Sequence, residues 1–159
     1  MSQDAKITVA RFAHGDAKTP FFMPIATKGA VRGIAASELR ALGAEVVLAN
    51  TYHLWLRPGD ELVARMGGVS SMMKWNGPVL TDSGGYQVFS LGARAAKRTG
   101  KGGGVRLSEE GVDFRDVISG KRHFMSPEIS IDIQLNLGSD VIMVLDECPP
   151  YSASYNEVA

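Results

Sequence analysis

The chain contains 159 residues, of which 45% are apolar, and its 17 basic side chains balance its 17 acidic ones. This apolar share favours a folded core over disorder, and no apolar run approaches the ~20 residues that a membrane span requires. A net charge of zero provides no broad basic surface of the kind that many nucleic-acid binders have. The single cysteine, Cys148, excludes an internal disulfide framework and a cysteine-rich zinc site within this chain.

The N-terminal segment carries charged residues where a signal peptide would need an apolar stretch, so we expect a cytoplasmic protein. The pattern of residues 6–24 predicts a small β-hairpin that turns at Gly15-Asp16, and we assign residues 1–19 to this hairpin. Residues 20–159 contain no internal repeat and no shift in composition. We therefore expect one domain across residues 1–159.

Four short apolar runs are predicted to be strands. Their apolar residues are continuous rather than alternating, which is typical of strands covered on both faces of a parallel sheet. The runs are Phe21–Ile25, Val46–Ala49, Val79–Thr81 and Val141–Leu145.

Two helices are predicted between the first three of these runs. The first spans Ala35–Leu42 and is closed by Gly43, a typical C-cap residue. The second spans Asp60–Met66, with Pro58 near its start and the Gly67-Gly68 pair at its end. Strand and helix therefore alternate along this part of the chain.

The segment Ser126–Leu137 has two readings. Its isoleucines and leucines alternate as they would in a strand. However, Ser126 can cap a helix, Pro127 suits its first position, and Glu128 faces the positive end of the helix dipole. We therefore predict a helix.

The stretch Val105–Met125 has a different pattern from the rest of the chain. Short β-type pieces are separated by the turn signals Glu110-Gly111 and Ser119-Gly120. This pattern predicts a β-meander, inserted near residues 105–125 between the third strand and the following helix.

Strand–helix alternation with apolar strands predicts an α/β fold built on a parallel sheet. A doubly wound sheet and a (β/α)8 TIM barrel both fit, and the missing Gly-rich loop after the first strand favours the barrel. Four strands would make about half of a barrel, since a complete one takes roughly 250 residues. Ser154 and Glu157 have the spacing of a capping box, yet the sequence stops two residues later. We therefore expect a truncated sequence, namely the N-terminal half of a barrel.

Three polar residues directly follow predicted strands. Asn50 follows the second, Asp82 the third and Asp146 the fourth. The carboxyl ends of parallel strands commonly carry the active site, so we expect these side chains to converge on one cleft. The alternative is that such residues only end strands and cap the next helix. Because each lies in a distinctive local motif, we favour a functional role.

The three motifs are ANTYHLWLRPG at 49–59, TDSGGYQVFSL at 81–91 and LDECPP at 145–150. Together they closely resemble tRNA-guanine transglycosylases, also called queuine tRNA-ribosyltransferases. The resemblance covers most of the chain and includes SPE at 126–128 and LGSD at 137–140.

This resemblance implies a (β/α)8 barrel with a zinc-binding insertion in its later half, acting as a homodimer on tRNA in queuosine biosynthesis. The family enzyme flips a guanine out of the anticodon loop, and a carboxylate attacks the ribose C1′. Guanine then departs and a covalent enzyme–tRNA intermediate forms. A 7-deazaguanine finally takes the place of the guanine. Tyr86 and Cys148 are similar to bacterial members, which insert preQ1. The nucleophile and the zinc ligands would lie after residue 159, so we expect no exchange activity from this chain alone.

The resemblance also implies roles for individual residues. Asp82 is the candidate general acid/base beside the ribose, and Asn50 and His53 support it. Tyr86 stacks on the base, and Asp146 accepts hydrogen bonds from its N1–H and N2–H groups. The complete set of candidate site residues is Asn50, His53, Asp82, Ser83, Tyr86, Asp146 and Cys148.

Three other readings stay open. The DSGG motif also occurs in chymotrypsin-like proteases, where Ser83 would be the nucleophile and His53 its base. Helix-rich segments and a single cysteine count against that class. The chain could also be a non-catalytic accessory subunit, or an inactive fragment.

Overall fold

The computed structural model describes residues 6–88, 90, 105–116, 118–147, 149 and 153–155. Its strands are β1 Thr8–Phe12, β2 Gly15–Thr19, β3 Ile25–Ala26, β4 Val47–Ala49, β5 Val79–Thr81, β6 Arg106–Ser108, β7 Gly111–Arg115, β8 Arg122–Met125 and β9 Val141–Ile142. The helices with defined bounds are α1 Ala36–Ala41, α2 Thr51–Leu56, α3 Asp60–Arg65, α4 Gly68–Met73 and α5 Pro127–Asn136. Residues 85–88 are also helical.

A four-stranded parallel sheet organises the chain. Its spatial order is β3-β4-β5-β9, so its four strands lie side by side in the order in which they occur along the chain. Leu48 pairs with Ile25 on one side and Leu80 on the other, and Leu80 pairs with Val141. The fold is thus α/β with a parallel sheet, and the carboxyl ends of β4, β5 and β9 lie along one edge.

Two of the predicted strands are shorter than expected. The run Phe21–Ile25 forms only β3, because Pro24 has no backbone N–H to donate to a neighbouring strand, and Phe22 is exposed. The run Val141–Leu145 forms only β9, because both backbone groups of Met143 bind a side chain instead of a strand.

The N-terminal hairpin turns earlier than predicted. Phe12 pairs with Gly15, so the turn lies at residues 13–14, and Gly15-Asp16 belongs to β2. Gly15 has a φ of 130°, a left-handed conformation that glycine adopts without strain. It can therefore begin β2 at the point where the chain leaves the turn.

The predicted meander is a three-stranded antiparallel sheet of order β6-β7-β8. Its turns fall at residues 109–110 and 118–120, close to the two turn signals in the sequence. The ambiguous segment at 126–137 is the helix α5, with the Ser126 hydroxyl accepting a hydrogen bond from the Ile129 N–H at 3.2 Å.

Helices α2 and α4 were not predicted from the sequence. The helix predicted at 60–66 ends before the Gly67-Gly68 pair, as expected, and Gly67 has the left-handed conformation of a C-cap. A new helix, α4, then begins at Gly68. Gly68 packs so closely that an added Cβ would lie 3.0 Å from the Leu137 carbonyl oxygen. The Val69 N–H donates to that same oxygen at 2.8 Å, which joins α4 to the end of α5.

The main core lies between the parallel sheet, the helices and the inner face of the meander. Trp75, Leu54, Met125 and Leu137 are its largest fully buried apolar side chains. Burial of such a side chain contributes about 1.5–3 kcal/mol. Among the described residues, no helix has the length and apolar character that a membrane span requires.

Candidate active site

The carboxyl edge of the sheet brings Asn50 and Asp82 together. The Asn50 Nδ2 atom donates a short hydrogen bond to Asp82 Oδ2, and the Thr51 N–H donates to Asp82 Oδ1 at 3.0 Å. The Thr51 hydroxyl donates to the Asp82 carbonyl oxygen at 2.5 Å. Both oxygens of the carboxylate are therefore held by donors from the start of α2.

Asn50 has this position because it caps α2. Its backbone is extended, and its Oδ1 accepts a hydrogen bond from the His53 N–H at 2.9 Å. The amide group thus caps the helix with its oxygen, which leaves its NH2 group facing Asp82. Asn50 is 5% exposed, so solvent competes little for these bonds.

The environment changes the acidity of two site residues in opposite directions. Burial raises the pKa of Asp82, although hydrogen bonds from Thr51, Asn50 and Gly84 favour the carboxylate and limit the effect. Burial also lowers the pKa of His53, helped by the charge of Lys28 and opposed by that of Asp82. His53 is therefore held in its neutral form more firmly than a free imidazole. A carboxyl of raised pKa is a typical proton-transfer group.

A second hydrogen-bonded pair lies beside the first. The Ser83 hydroxyl donates to Asp146 Oδ1 at 2.8 Å and accepts from the Gly85 N–H at 3.2 Å. Asp82 and Ser83 are consecutive, so both pairs occupy the same edge of the sheet. The Ser83 proton is directed to a carboxylate and not to His53, which differs from the serine–histidine pair of a hydrolase.

Glycine allows the loop that carries Asp146 to approach residues 83–85. An added Cβ on Gly85 would lie 2.6 Å from the Asp146 carbonyl oxygen and 3.1 Å from Leu145 Cδ1. Gly84 has a φ of 82°, and a Cβ there would lie 3.1 Å from the Tyr52 backbone nitrogen. The two glycines therefore permit close backbone contacts on both sides of the site.

Tyr86 follows these glycines in the helical segment 85–88 and is 58% exposed. Asp146 is exposed as well. An exposed aromatic ring and an exposed carboxylate at one edge of the sheet suit a ligand that arrives from solvent. Cys148, the remaining candidate, lies outside the described residues.

The structure also identifies site neighbours that the sequence analysis missed. Thr51 binds Asp82 through its backbone and its side chain, and the Ser130 hydroxyl donates to the Ser83 carbonyl oxygen at 2.8 Å. Gln134 is fully buried next to Ser130. The available signal was that Ser130 and Gln134 lie four positions apart, and therefore on one face of the predicted helix.

Helix α2 also supports the meander. Arg57 donates to Asp116 at 2.7 Å, and Trp55 packs edge-on against Phe114 and His123. Burial raises the pKa of Asp116, but hydrogen bonds from Ser119 and Ile118 and the charge of Arg57 outweigh it, so the pKa is lowered. A cavity of about 80 Å³ lies between the two elements, lined by Lys28, Tyr52, His53, Leu56, Arg57, Asp116 and Ile118.

The described residues offer no group of three or more histidine, cysteine, aspartate or glutamate side chains placed to hold a metal ion. The chain has one cysteine in total. The part of the chain that the structure describes therefore does not supply the zinc site that the resemblance implies for a complete family member.

These features define an α/β protein with two carboxylates, each held by a hydrogen-bond donor, at the carboxyl edge of a parallel sheet. The family model for queuine tRNA-ribosyltransferase matches residues 2–159. The chain belongs to this family.

Curated relatives agree over nearly the whole chain. A queuine tRNA-ribosyltransferase of Oleidesulfovibrio alaskensis is 52% identical over 155 residues, which is 98% of this chain and 38% of that protein. One from Nitratidesulfovibrio vulgaris is 54% identical over 141 residues, 89% of this chain and 35% of that protein. One from Solidesulfovibrio magneticus is 50% identical over 152 residues, 96% of this chain and 37% of that protein. The chain thus spans little more than a third of the length of these relatives.

Proposed function

We propose that this chain supplies the base-binding part of a tRNA-guanine transglycosylase, which exchanges guanine in the anticodon loop of tRNA for preQ1. Two features support the proposal: membership of the queuine tRNA-ribosyltransferase family, and the adjacent pairs Asn50–Asp82 and Ser83–Asp146 at the carboxyl edge of the sheet. The second feature supports the chemistry, because Asp82, whose pKa is raised by burial, is the neighbour in sequence of Ser83, which binds the exposed Asp146.

The proposal includes a fold, the N-terminal half of a (β/α)8 barrel. In a barrel, parallel strands are neighbours in the order in which they occur along the chain, whereas a doubly wound sheet reverses direction at a switch point. The order β3-β4-β5-β9, which has no reversal, supports the barrel. The antiparallel meander is then an insertion between the third and fourth barrel strands.

Each site residue has a distinct task in the proposed reaction. The Asp146 carboxylate accepts hydrogen bonds from guanine N1–H and N2–H, and the Ser83 hydroxyl orients that carboxylate. Tyr86, an exposed aromatic side chain, stacks on the base. These contacts would hold the flipped base while the bond between N9 and C1′ breaks.

Asp82 acts on protons beside the ribose. Burial raises its pKa, which suits a group that accepts a proton in one step and returns it in another. A carboxylate from another part of the complete protein attacks C1′, guanine leaves with the N9–C1′ electron pair, and a covalent ribosyl ester forms. The incoming base then displaces that ester, so two inversions retain the configuration at C1′. No step is assigned to zinc.

A chimera tests this proposal directly. The chain would replace the segment of the Oleidesulfovibrio alaskensis relative that it matches over 155 residues. We expect the chimera to incorporate labelled guanine into tRNA and the isolated chain to incorporate none. Asp82→Asn is expected to lower incorporation by about 100-fold or more, the scale on which loss of a proton-transfer group acts. Asp146→Asn is expected to lower it by about tenfold or more, because the charged acceptor of the hydrogen bonds from the base is lost.

Glu147→Gln is the matched control. Glu147 is an exposed acidic residue next to Asp146, so its substitution removes a charge without touching the proposed contacts. An inactive chimera would contradict the proposal. So would an Asp146→Asn variant that is as active as Glu147→Gln.

A further inference from the structure

We infer that Gln134 is a positioning residue that holds the two loops of the proposed base-exchange site in a fixed relation. This inference rests on the proposed function, since it concerns the loops that carry Asp82, Ser83 and Asp146. Gln134 lies on α5, away from the three sequence motifs, and is 0% exposed. A buried primary amide needs hydrogen-bond partners for its oxygen and its nitrogen. The partners of Gln134 lie close in sequence to the residues of the proposed site.

Gln134 binds both backbone groups of one residue at the end of the sheet. Its Nε2 donates to the Met143 carbonyl oxygen at 2.8 Å, and its Oε1 accepts from the Met143 N–H at 2.9 Å. Met143 follows β9 and precedes Asp146 by three residues. The side chain thus takes the place of a neighbouring strand, ends β9 at Ile142, and determines where the Asp146 loop begins.

The same amide oxygen also binds the end of the strand that leads to Asp82. Thr81 Oγ1 lies 2.9 Å from Gln134 Oε1 and 2.8 Å from Ser139 Oγ. An amide oxygen can only accept, so the Thr81 hydroxyl donates to Gln134 and accepts from Ser139. Gln134 therefore contacts the chain one residue before Asp82 and three residues before Asp146.

A third connection runs through Ser130, one helical turn earlier on α5. Gln134 Nε2 donates to Ser130 Oγ at 3.3 Å, and Ser130 Oγ donates to the Ser83 carbonyl oxygen at 2.8 Å. The Ser83 hydroxyl in turn binds Asp146. Two polar side chains of α5 therefore connect to the strand β5, to the loop after it and to the loop after β9.

Core packing alone does not require this arrangement. A buried glutamine can be satisfied by any suitable partners, and this one bonds in part to its own helix, through the Ser130 carbonyl oxygen at 3.2 Å and the Ser130 hydroxyl at 3.3 Å. Its other bonds go to the end of β5 and to the start of the Asp146 loop. A fully satisfied buried network favours one arrangement of its members over alternatives. Removal of the amide should therefore change the spacing of the loops, and base binding should weaken.

The experiment uses the chimera of this chain with the Oleidesulfovibrio alaskensis relative, with labelled guanine as the probe. Gln134→Met keeps the length of the side chain and removes all its hydrogen bonds. Ser130→Ala removes the link to Ser83 and the longer bond from Gln134 Nε2, but keeps the bonds of Gln134 to Thr81 and Met143. We expect the KM for guanine to rise about tenfold or more in Gln134→Met, and by a smaller factor in Ser130→Ala, with a smaller change in kcat.

Val63→Ala is the control for stability. Val63 is a fully buried core residue of α3, and its side chain has no polar atom, so its truncation lowers the thermal midpoint without removing any hydrogen bond of the network. We expect Val63→Ala to leave the KM for guanine unchanged at a comparable loss of thermal midpoint. Ser130→Ala keeps the test decisive if Gln134→Met does not fold.

The outcomes separate the two claims. An inactive parent chimera would overturn the proposed function and this inference with it. An active parent whose Gln134→Met and Ser130→Ala variants match Val63→Ala in KM would overturn this inference alone.

Discussion

Asn50 holds the Asp82 carboxylate with one end of its side-chain amide and caps helix α2 with the other end. The oxygen accepts from a backbone N–H, so the NH2 group is the end that faces Asp82. The orientation of the amide is thereby fixed by the helix, and the geometry of the site is coupled to the formation of α2. Stability and chemistry depend on the same side chain.

Asn50→Ala should therefore have two separable effects. Loss of the cap is expected to cost about 0.5–2 kcal/mol of stability. Loss of the NH2 donor removes a bond that favours the carboxylate, so the already raised pKa of Asp82 should rise further. In the chimera, the acidic limb of the profile of kcat/KM against pH should move to higher pH.

Ser126→Ala is the matched control for this variant. Ser126 caps α5 through the same type of hydrogen bond, to the Ile129 N–H at 3.2 Å, but does not contact Asp82. Its substitution should reduce stability by a similar amount and leave the acidic limb in place. Equal profiles for the two variants would show that Asn50 serves only as a cap.

The close approach of Gly85 to the Asp146 loop leads to a second prediction. Gly85 does not have a left-handed backbone, so alanine is allowed there by conformation, but its Cβ would lie 2.6 Å from the Asp146 carbonyl oxygen. The loop must move to relieve this clash. We expect Gly85→Ala to raise the KM of the chimera for guanine by about tenfold or more.

Gly120→Ala provides the opposite case. Gly120 has a φ of 72° and no atom within 4 Å of an added Cβ, so alanine there costs backbone strain without a clash. This variant should lose stability and keep its KM for guanine. A Gly85→Ala variant with unchanged KM would show that the contact with Asp146 has no part in base binding.

The sequence predicted the position of the site better than its internal connections. Asn50 and Asp82 directly follow β4 and β5 as predicted, because these strand ends follow from local apolar runs. Asp146 was predicted to follow its strand directly, but it lies four residues beyond the end of β9. The hydrogen bond between Asn50 and Asp82 joins residues 32 positions apart, and no local pattern specifies such a pair. The roles of the individual site residues stay predictions.

Buried polar residues explain the largest differences between the predicted and observed elements. The run after residue 141 is as apolar as a longer strand, yet Gln134 binds both backbone groups of Met143 and ends β9 there. Helix α2 was missed because TYHLWL mixes aromatic and β-branched residues, which favour strands when considered alone. Its cap at Asn50 and its packing against Phe114 and His123 override that preference.

The contact between α2 and the meander predicts a loss of stability in mild acid. Burial lowers the pKa of both His53 and His123 from the ordinary value of 6.5, and Lys28 and Lys121 add to the effect. At a pH between 6.5 and the lowered pKa values, these two histidines bind more protons in the unfolded chain than in the folded one. Stability should therefore fall as the pH drops through this window and should level off below it.

His123→Phe isolates the contribution of one of these rings. His123 stacks on Phe114 and packs against Trp55, so phenylalanine keeps the aromatic contacts and removes the titrating group. In the chimera, the fall in thermal midpoint from about pH 7.5 to about pH 5.5 should be smaller for this variant than for the parent. Arg122→Gln, which removes an exposed neighbouring charge and keeps the imidazole, should behave like the parent. An identical fall in parent and His123→Phe would mean that the His123 imidazole accepts its proton equally well in the folded and unfolded states.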